Sequence, residues 1–227
     1  MLTKNELAKY IDHTLLKPTA TFADIELLCL EAKEYGFYAV CVNSCYVKHA
    51  ASILKDSDVK VGSTVGFPLG AMLTASKAFE AAEAVKAGAA EIDMVMNVGL
   101  LKSGDFYGVQ EDIAEVVKAA KSIRPEAKVK VILETGYLDE NEKVSACQLA
   151  KAAQADFVKT STGFGAGGAT VDDVKLMKKI VGNAMEVKAS GGIRDAKTAL
   201  AMIEAGATRI GTSSGITIIQ DYEQQIS

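Results

Sequence analysis

KAGAAEIDMVMN, residues 86–97, opens on a helix end, turns at Gly88 and runs into an apolar strand interrupted by one carboxylate, Asp93. EAGATRIGT, residues 204–212, repeats the same order of helix end, glycine, small residue and strand. Working outward from these two segments, short β-branched runs alternate with longer Ala-rich amphipathic stretches. Eight strands are predicted: IDHTLL from Ile11, YAVCV from Tyr38, KVGSTVGF from Lys60, EIDMVMN from Glu91, KVKVILE from Lys128, FVKTS from Phe157, EVKAS from Glu186 and RIGTS from Arg209. Their start-to-start spacings are 27, 22, 31, 37, 29, 29 and 23 residues, enough for one crossover helix and too long for a hairpin, so neighbouring strands run parallel. Eight such units predict an α/β fold of the TIM (β/α)8 type, one barrel domain over residues 1–227. An open doubly wound sheet uses the same alternation and is the rival architecture.

Helix-end chemistry agrees with this division. Thr21 precedes one helix and Gly36 ends it, Asp139 with Glu142 and Thr170 with Asp173 have capping-box spacing, and Asp195 is placed to cap the helix that Gly206 terminates. No linker, low-complexity tract or charge block marks a boundary. The chain has 227 residues and is 49% hydrophobic, which excludes disorder and leaves enough surface to bury without staples or metal. Its 25 Lys and Arg against 29 Asp and Glu give a net charge of −4, offering no general basic field for nucleic acid.

No run of 18 uncharged apolar residues is present, so no membrane span is predicted and a cytoplasmic location is expected. Cys29, Cys41, Cys45 and Cys147 form no C-x-x-C pair, and with only His13 and His49 present a thiolate or histidine metal site is not indicated. A carboxylate-bound magnesium stays compatible with the composition.

Parallel strands are covered on both faces, so charged residues within them are unexpected except near the C-terminal mouth of a barrel. Asp93, Lys159 and Lys188 each interrupt such a strand. A lysine pointing inward there is partly desolvated, and a second ammonium nearby disfavours its charge further, which yields a neutral nucleophilic amine able to form an imine with an aldehyde or ketone. The bland alternative is a lysine extending from a strand end to solvent. SGGIR, residues 190–194, follows the seventh strand, and GTSSG, residues 211–215, follows the eighth, each leading into a helix. Glycine amides and a helix N-terminus after those strands form the usual phosphate position of a barrel, although single glycine loops often only turn. GFGAGG, residues 163–168, fits a dinucleotide fingerprint but follows the sixth strand, and Glu186 opens the next strand instead of closing it, so a mouth loop is preferred.

Asp12 and His13 in the first strand and Lys130 and Glu134 in the fifth are further candidates for the mouth. For His13 a hydrogen-bonded structural role is favoured, for Cys41 core packing, and for His49 a surface position on a helix. A Schiff-base lyase, a nicotinamide-dependent oxidoreductase and a non-catalytic sugar-phosphate binder all stay open on these residues.

With these segments in view, the sequence resembles the deoxyribose-phosphate aldolases, class I aldolases with a TIM-barrel fold. YIDHTLL at Tyr10, VGFPLG at Val65, EIDMVMN at Glu91, ETGYL at Glu134, FVKTSTGF at Phe157, VKASGGIR at Val187 and GTSSG at Gly211 carry the resemblance through nearly the whole chain. It implies reversible cleavage of 2-deoxy-D-ribose 5-phosphate to acetaldehyde and D-glyceraldehyde 3-phosphate, without metal or organic cofactor, in a homodimer. It also implies Lys159 as the Schiff-base lysine, Lys188 as the second lysine that lowers its pKa, and Asp93 as acid/base partner. Gly163, Gly191, Gly192, Arg194, Gly211, Ser213 and Ser214 would contact the phosphate. Some relatives carry a lysine directly after K-T-S-T-G where this chain has Phe164. A C-terminal tyrosine has a proton-transfer role in the family, but Tyr222 in the tail DYEQQIS is not assigned it.

Overall fold

The computed structural model describes residues 2–226, and its sheet is a closed barrel in the order β1-β2-β3-β4-β5-β6-β7-β8 with every pairing parallel. The strands are β1 (Ile11–Leu15), β2 (Ala39–Val42), β3 (Lys60–Val65), β4 (Glu91–Val95), β5 (Lys128–Ile132), β6 (Phe157–Lys159), β7 (Glu186–Ser190) and β8 (Arg209–Thr212). Closure through β1 and β8, with Asp12 beside Gly211, decides for the barrel over the open sheet.

Helix α1 (Lys4–Ala8) precedes the first strand. The crossovers then run α2 (Phe22–Tyr35), α3 (Val47–Ile53), α4 (Thr74–Lys86), α5 (Val98–Lys102), α6 (Phe106–Ile123), α7 (Glu140–Ala152), α8 (Val171–Val181), α9 (Ala196–Glu204) and α10 (Gly215–Ile226). The connection after β4 holds two helices, α5 and α6, which accounts for the longest spacing in the sequence.

Alternation along the strands builds two interiors. Ile92, Met94, Val129, Val131, Val158, Val187 and Ile210 are buried in the apolar layer between barrel and helices. Side chains of the opposite parity, including Asp93, Lys130, Lys159 and Lys188, fill the barrel itself.

The predicted caps hold at three helices and differ at one. Thr21 and Asp139 form reciprocal capping boxes with Asp24 and Glu142, Gly36 closes α2 in the left-handed conformation, and the Asp195 side chain accepts from the Thr198 amide. Thr170 caps α8, but Asp173 does not reach back, because its carboxylate pairs with Lys143 of α7 at 2.6 Å. Glu134 lies just past β5 and has left the extended conformation, with φ 57°.

Candidate active site

Seven charged side chains meet inside the barrel. Asp93 Oδ1 accepts from Lys130 at 2.8 Å, and Oδ2 accepts from both Lys159 and Lys188 at 2.8 Å. Lys188 also donates to Asp12, which accepts from Arg209 at 2.9 Å; Arg209 and Lys130 in turn reach Glu91 at 3.0 and 2.5 Å. The Arg209 guanidinium lies 3.4 Å from the centre of the Tyr38 ring.

Removing each ion from water costs several kcal/mol unless the partners return it. The cluster therefore survives only as a network: three carboxylates, Asp12, Glu91 and Asp93, against four cations, Lys130, Lys159, Lys188 and Arg209. When all are ionised the network carries one positive charge in excess, and loss of a single proton from one amine balances it.

The electrostatics follow from these contacts. Burial would raise the Asp93 carboxyl, but Lys130, Lys159 and Lys188 hold it well below the usual carboxylate range. Burial opposes ionisation of Asp12 as well, and Lys188, Arg209 and Lys130 overcome it, bringing its pKa down to about 2. Burial works against the Lys188 ammonium, yet Asp12 and Asp93 outweigh it and keep this lysine protonated well above the ordinary range. Lys130 is raised in the same way by Asp93 and Glu91. Cys41 Sγ sits 3.9 Å from Asp93, and burial followed by that carboxylate pushes its thiol up to about 11, so it packs the barrel interior as an unreactive thiol.

A cavity of about 290 Å³ opens above this network at the C-terminal ends of the strands. Lys159 is 3% exposed and lines it, whereas Asp93 and Lys188 are fully buried beneath. Of the residues expected to hold a phosphate, Gly163, Gly191, Gly192, Arg194, Gly211 and Ser213 line the same cavity. Ser214 lines an adjoining one of about 710 Å³, and its amide donates to Thr212 Oγ1 at 2.9 Å.

Two of these glycines are demanded by close packing. A side chain on Gly211 would meet Lys188 Cε at 2.9 Å, and one on Gly191 would meet Gly168 Cα at 2.9 Å. Gly191 and Gly192 also have φ of 93° and 79°, which together turn the SGG segment over the cavity.

The GFGAGG segment is a mouth loop, as its place after β6 requires. Gly163 and Phe164 line the cavity, and Ala169, one residue past the loop, donates its amide to the Gly191 carbonyl at 3.0 Å. Glu134 holds the start of the loop from below: its carboxylate accepts from the Thr162 amide at 3.3 Å and from the Thr162 hydroxyl. This explains Glu134 as a support of the mouth. His13 faces the helices instead, with Nε2 2.8 Å from Glu31 and its ring against Phe37. His49 is half-buried against the Phe22 ring, where a surface position was expected. Tyr222 does not line the cavity; its hydroxyl donates to the Leu2 carbonyl.

Glu91 and Arg209 escaped sequence reasoning. Both open strands, where a charged residue ordinarily reaches solvent, as Lys60, Lys128 and Glu186 do. The available signal was parity, since Glu91 lies two residues before Asp93 and Arg209 two before Gly211.

A lysine above a buried carboxylate, under glycine loops at the mouth of a parallel barrel, sets an amine where it can meet a carbonyl compound. The sequence matches the DeoC/LacD family of aldolases over residues 7–221. The chain belongs to that family. This aldolase, a carbon–carbon lyase, is 61% identical over 220 residues to the deoxyribose-phosphate aldolase of Carboxydothermus hydrogenoformans, covering 97% of this chain and 96% of the relative. It is 62% identical over 221 residues to the deoxyribose-phosphate aldolase of Thermococcus kodakarensis, covering 96% and 98% of the two chains. The tetrameric deoxyribose phosphate aldolase of Aeropyrum pernix has a similar structure, with TM-score 0.92, 35% identity and coverage of 98% and 93%. Among the described residues the aldolase has no cluster of His, Cys, Asp or Glu suited to a metal ion, and no helix long and apolar enough to cross a membrane.

Proposed function

We propose that this aldolase reversibly cleaves 2-deoxy-D-ribose 5-phosphate to acetaldehyde and D-glyceraldehyde 3-phosphate through an imine on Lys159. The observation that carries the reading is the place of Lys159: its amine ends β6 at the floor of the 290 Å³ cavity, 2.8 Å from Asp93, with Arg194 and the glycines after β7 at the rim. The close relatives named above support the choice of substrate.

The reaction begins at Lys159, whose amine is the nucleophile. The free amine attacks C1 of the open-chain sugar, and the carbinolamine loses water to give a protonated imine. A base takes the C3 hydroxyl proton as the C2–C3 bond breaks, and the bonding pair moves into an enamine while D-glyceraldehyde 3-phosphate departs. C2 is then protonated, and water hydrolyses the imine to acetaldehyde and the starting amine. Asp93 is the proposed proton carrier, acting through water and Lys188, since its Oδ2 touches both lysines. Arg194, Gly163, Gly191, Gly192, Gly211, Ser213 and Ser214 are the proposed phosphate contacts. Four free cysteines fit a reducing compartment, and the cytoplasm is the proposed setting.

Borohydride added during turnover reduces the imine and leaves a stable mass increment on the peptide containing Lys159. Lys159→Ala should retain the fold by circular dichroism and neither trap nor cleave. An unmodified Lys159 in the wild-type protein would overturn the proposal.

A further inference from the structure

The loop after β1 brings a second cation to the cavity. Lys17 lines it together with Lys159 and Arg194, while no aspartate or glutamate does. Among the described residues neither Lys17 nor Arg194 forms an ion pair. Lys17 also lines the adjoining cavity with Asp24 and Glu31. Asp24 feels its charge without pairing with it and accepts at Oδ2 from the Thr21 amide and hydroxyl, each at 2.7 Å, while Glu31 lies 2.8 Å from His13.

The backbone that presents Lys17 is fixed at both ends. Asn43 donates to the Leu16 carbonyl at 3.4 Å, the Ala20 amide to the Lys17 carbonyl at 3.1 Å, and the Tyr46 hydroxyl to the Ala20 carbonyl at 2.5 Å. Pro18 further restricts the conformation of Lys17. A cation without a partner on an anchored loop beside a cavity is arranged for a ligand that supplies the missing charge.

Barrel order decides where that charge sits. β7, β8 and β1 are successive neighbours, so Arg194 after β7 and Lys17 after β1 flank the β8 loop, with Ser213 and the start of α10 between them. A phosphate monoester carries about −1.5 to −2 charges at pH 7, and one guanidinium leaves it under-compensated. On the β6 side the position after K-T-S-T-G gives no help: Phe164 has no cation to offer and packs edge-on against Phe67 at 5.4 Å.

We propose that Lys17 is the second phosphate-binding cation of this site, gripping the ester from the β1 side and setting the preference for phosphorylated sugars. The proposal rests on the aldolase reading above and assigns it a specificity determinant.

The test compares Lys17→Gln and Lys17→Arg with the wild-type protein. In Lys17→Gln the ratio of kcat/KM on 2-deoxyribose 5-phosphate to that on 2-deoxyribose should fall about tenfold, chiefly through KM. Added salt should weaken the phosphorylated substrate less than in the wild type, because one charge contact is gone, and Lys17→Arg should restore most of the ratio. Calorimetric titration with inorganic phosphate should show about tenfold weaker binding to Lys17→Gln. An unchanged ratio, or equal losses on both sugars, would overturn the assignment, as would unchanged phosphate affinity. Failure to trap Lys159 with borohydride would instead remove the aldolase reading, and the phosphate titration would still decide the role of Lys17.

Discussion

Asp93→Asn strikes the centre of the buried network while changing almost no volume. Asp93 accepts three lysines at 2.8 Å and is fully buried, so the substitution leaves Lys130 with Glu91, Lys188 with Asp12, and Lys159 with no carboxylate within salt-bridge distance. The network passes from four cations against three anions to four against two, and the new amide presents its own N–H groups to ammonium groups that are already donors. Breaking a buried ion pair by removing one partner costs about 3–5 kcal/mol, a large share of the roughly 5–15 kcal/mol that holds a typical domain together. Urea denaturation at pH 7 should show a loss of that size with the fold retained.

The pH dependence gives the sharper test. Amines disfavoured as cations in the folded variant bind fewer protons there than in the unfolded chain, so the variant gains stability relative to wild type as pH rises from 7 toward 9.5. Turnover should fall at least about a hundredfold, the lower end of what a positioned acid/base group contributes. A stability loss under about 1 kcal/mol, or one that does not change between pH 7 and 9.5, would refute the account of Asp93 as the anion that holds these amines.

Arg194→Ala should raise KM for the phosphorylated sugar while changing kcat/KM on 2-deoxyribose much less; parallel losses in steady-state assays on both would argue against a phosphate contact. Asp12, whose pKa in the folded protein is about 2, below the roughly 3.9 of an unperturbed aspartate, contributes on the order of 2 kcal/mol that is complete above pH 4 and lost as pH falls toward 2. The urea midpoints of wild type and Asp12→Asn should therefore converge below pH 4 and stay apart above it, and a constant gap would contradict this. Away from the site, Lys77 of α4 is fully buried and donates to Asp112 of α6 at 2.6 Å and to the Val95 carbonyl at 3.0 Å. Lys77→Met should cost about 3–5 kcal/mol by urea denaturation, and adding Asp112→Leu should recover much of it; a double variant as unstable as the sum of the singles would count against a buried pair.

All eight strands were legible because each is a short strand-forming run set off by a helix-length interval, although β6 and β7 hold only one β-branched residue each, Val158 and Val187. Asp93, Lys159 and Lys188 were legible for a related reason: a charge inside a strand covered on both faces has nowhere to go but the barrel interior or its mouth. The partners Glu91 and Arg209 were hidden by their position at strand starts. Glu91 pairs in register with Lys128, and Arg209 with Lys188, yet Lys128 is exposed and the other three are buried. Strand tilt around the closed barrel makes that difference, and local sequence does not encode tilt. Lys17 was hidden in the same way, since only the meeting of β1 with β8 sets it near Arg194.

The contact between Gly168 and Gly191 joins the loop that follows Lys159 to the loop that follows β7 at the rim of the cavity. Backbone lies against backbone there, and a hydrogen bond from Ala169 at 3.0 Å ties the two loops across the seam. On the proposed reading, a sugar phosphate bonded at Lys159 and held at Arg194 would be measured against a ruler of set length, and a chain one carbon shorter or longer would fit it less well.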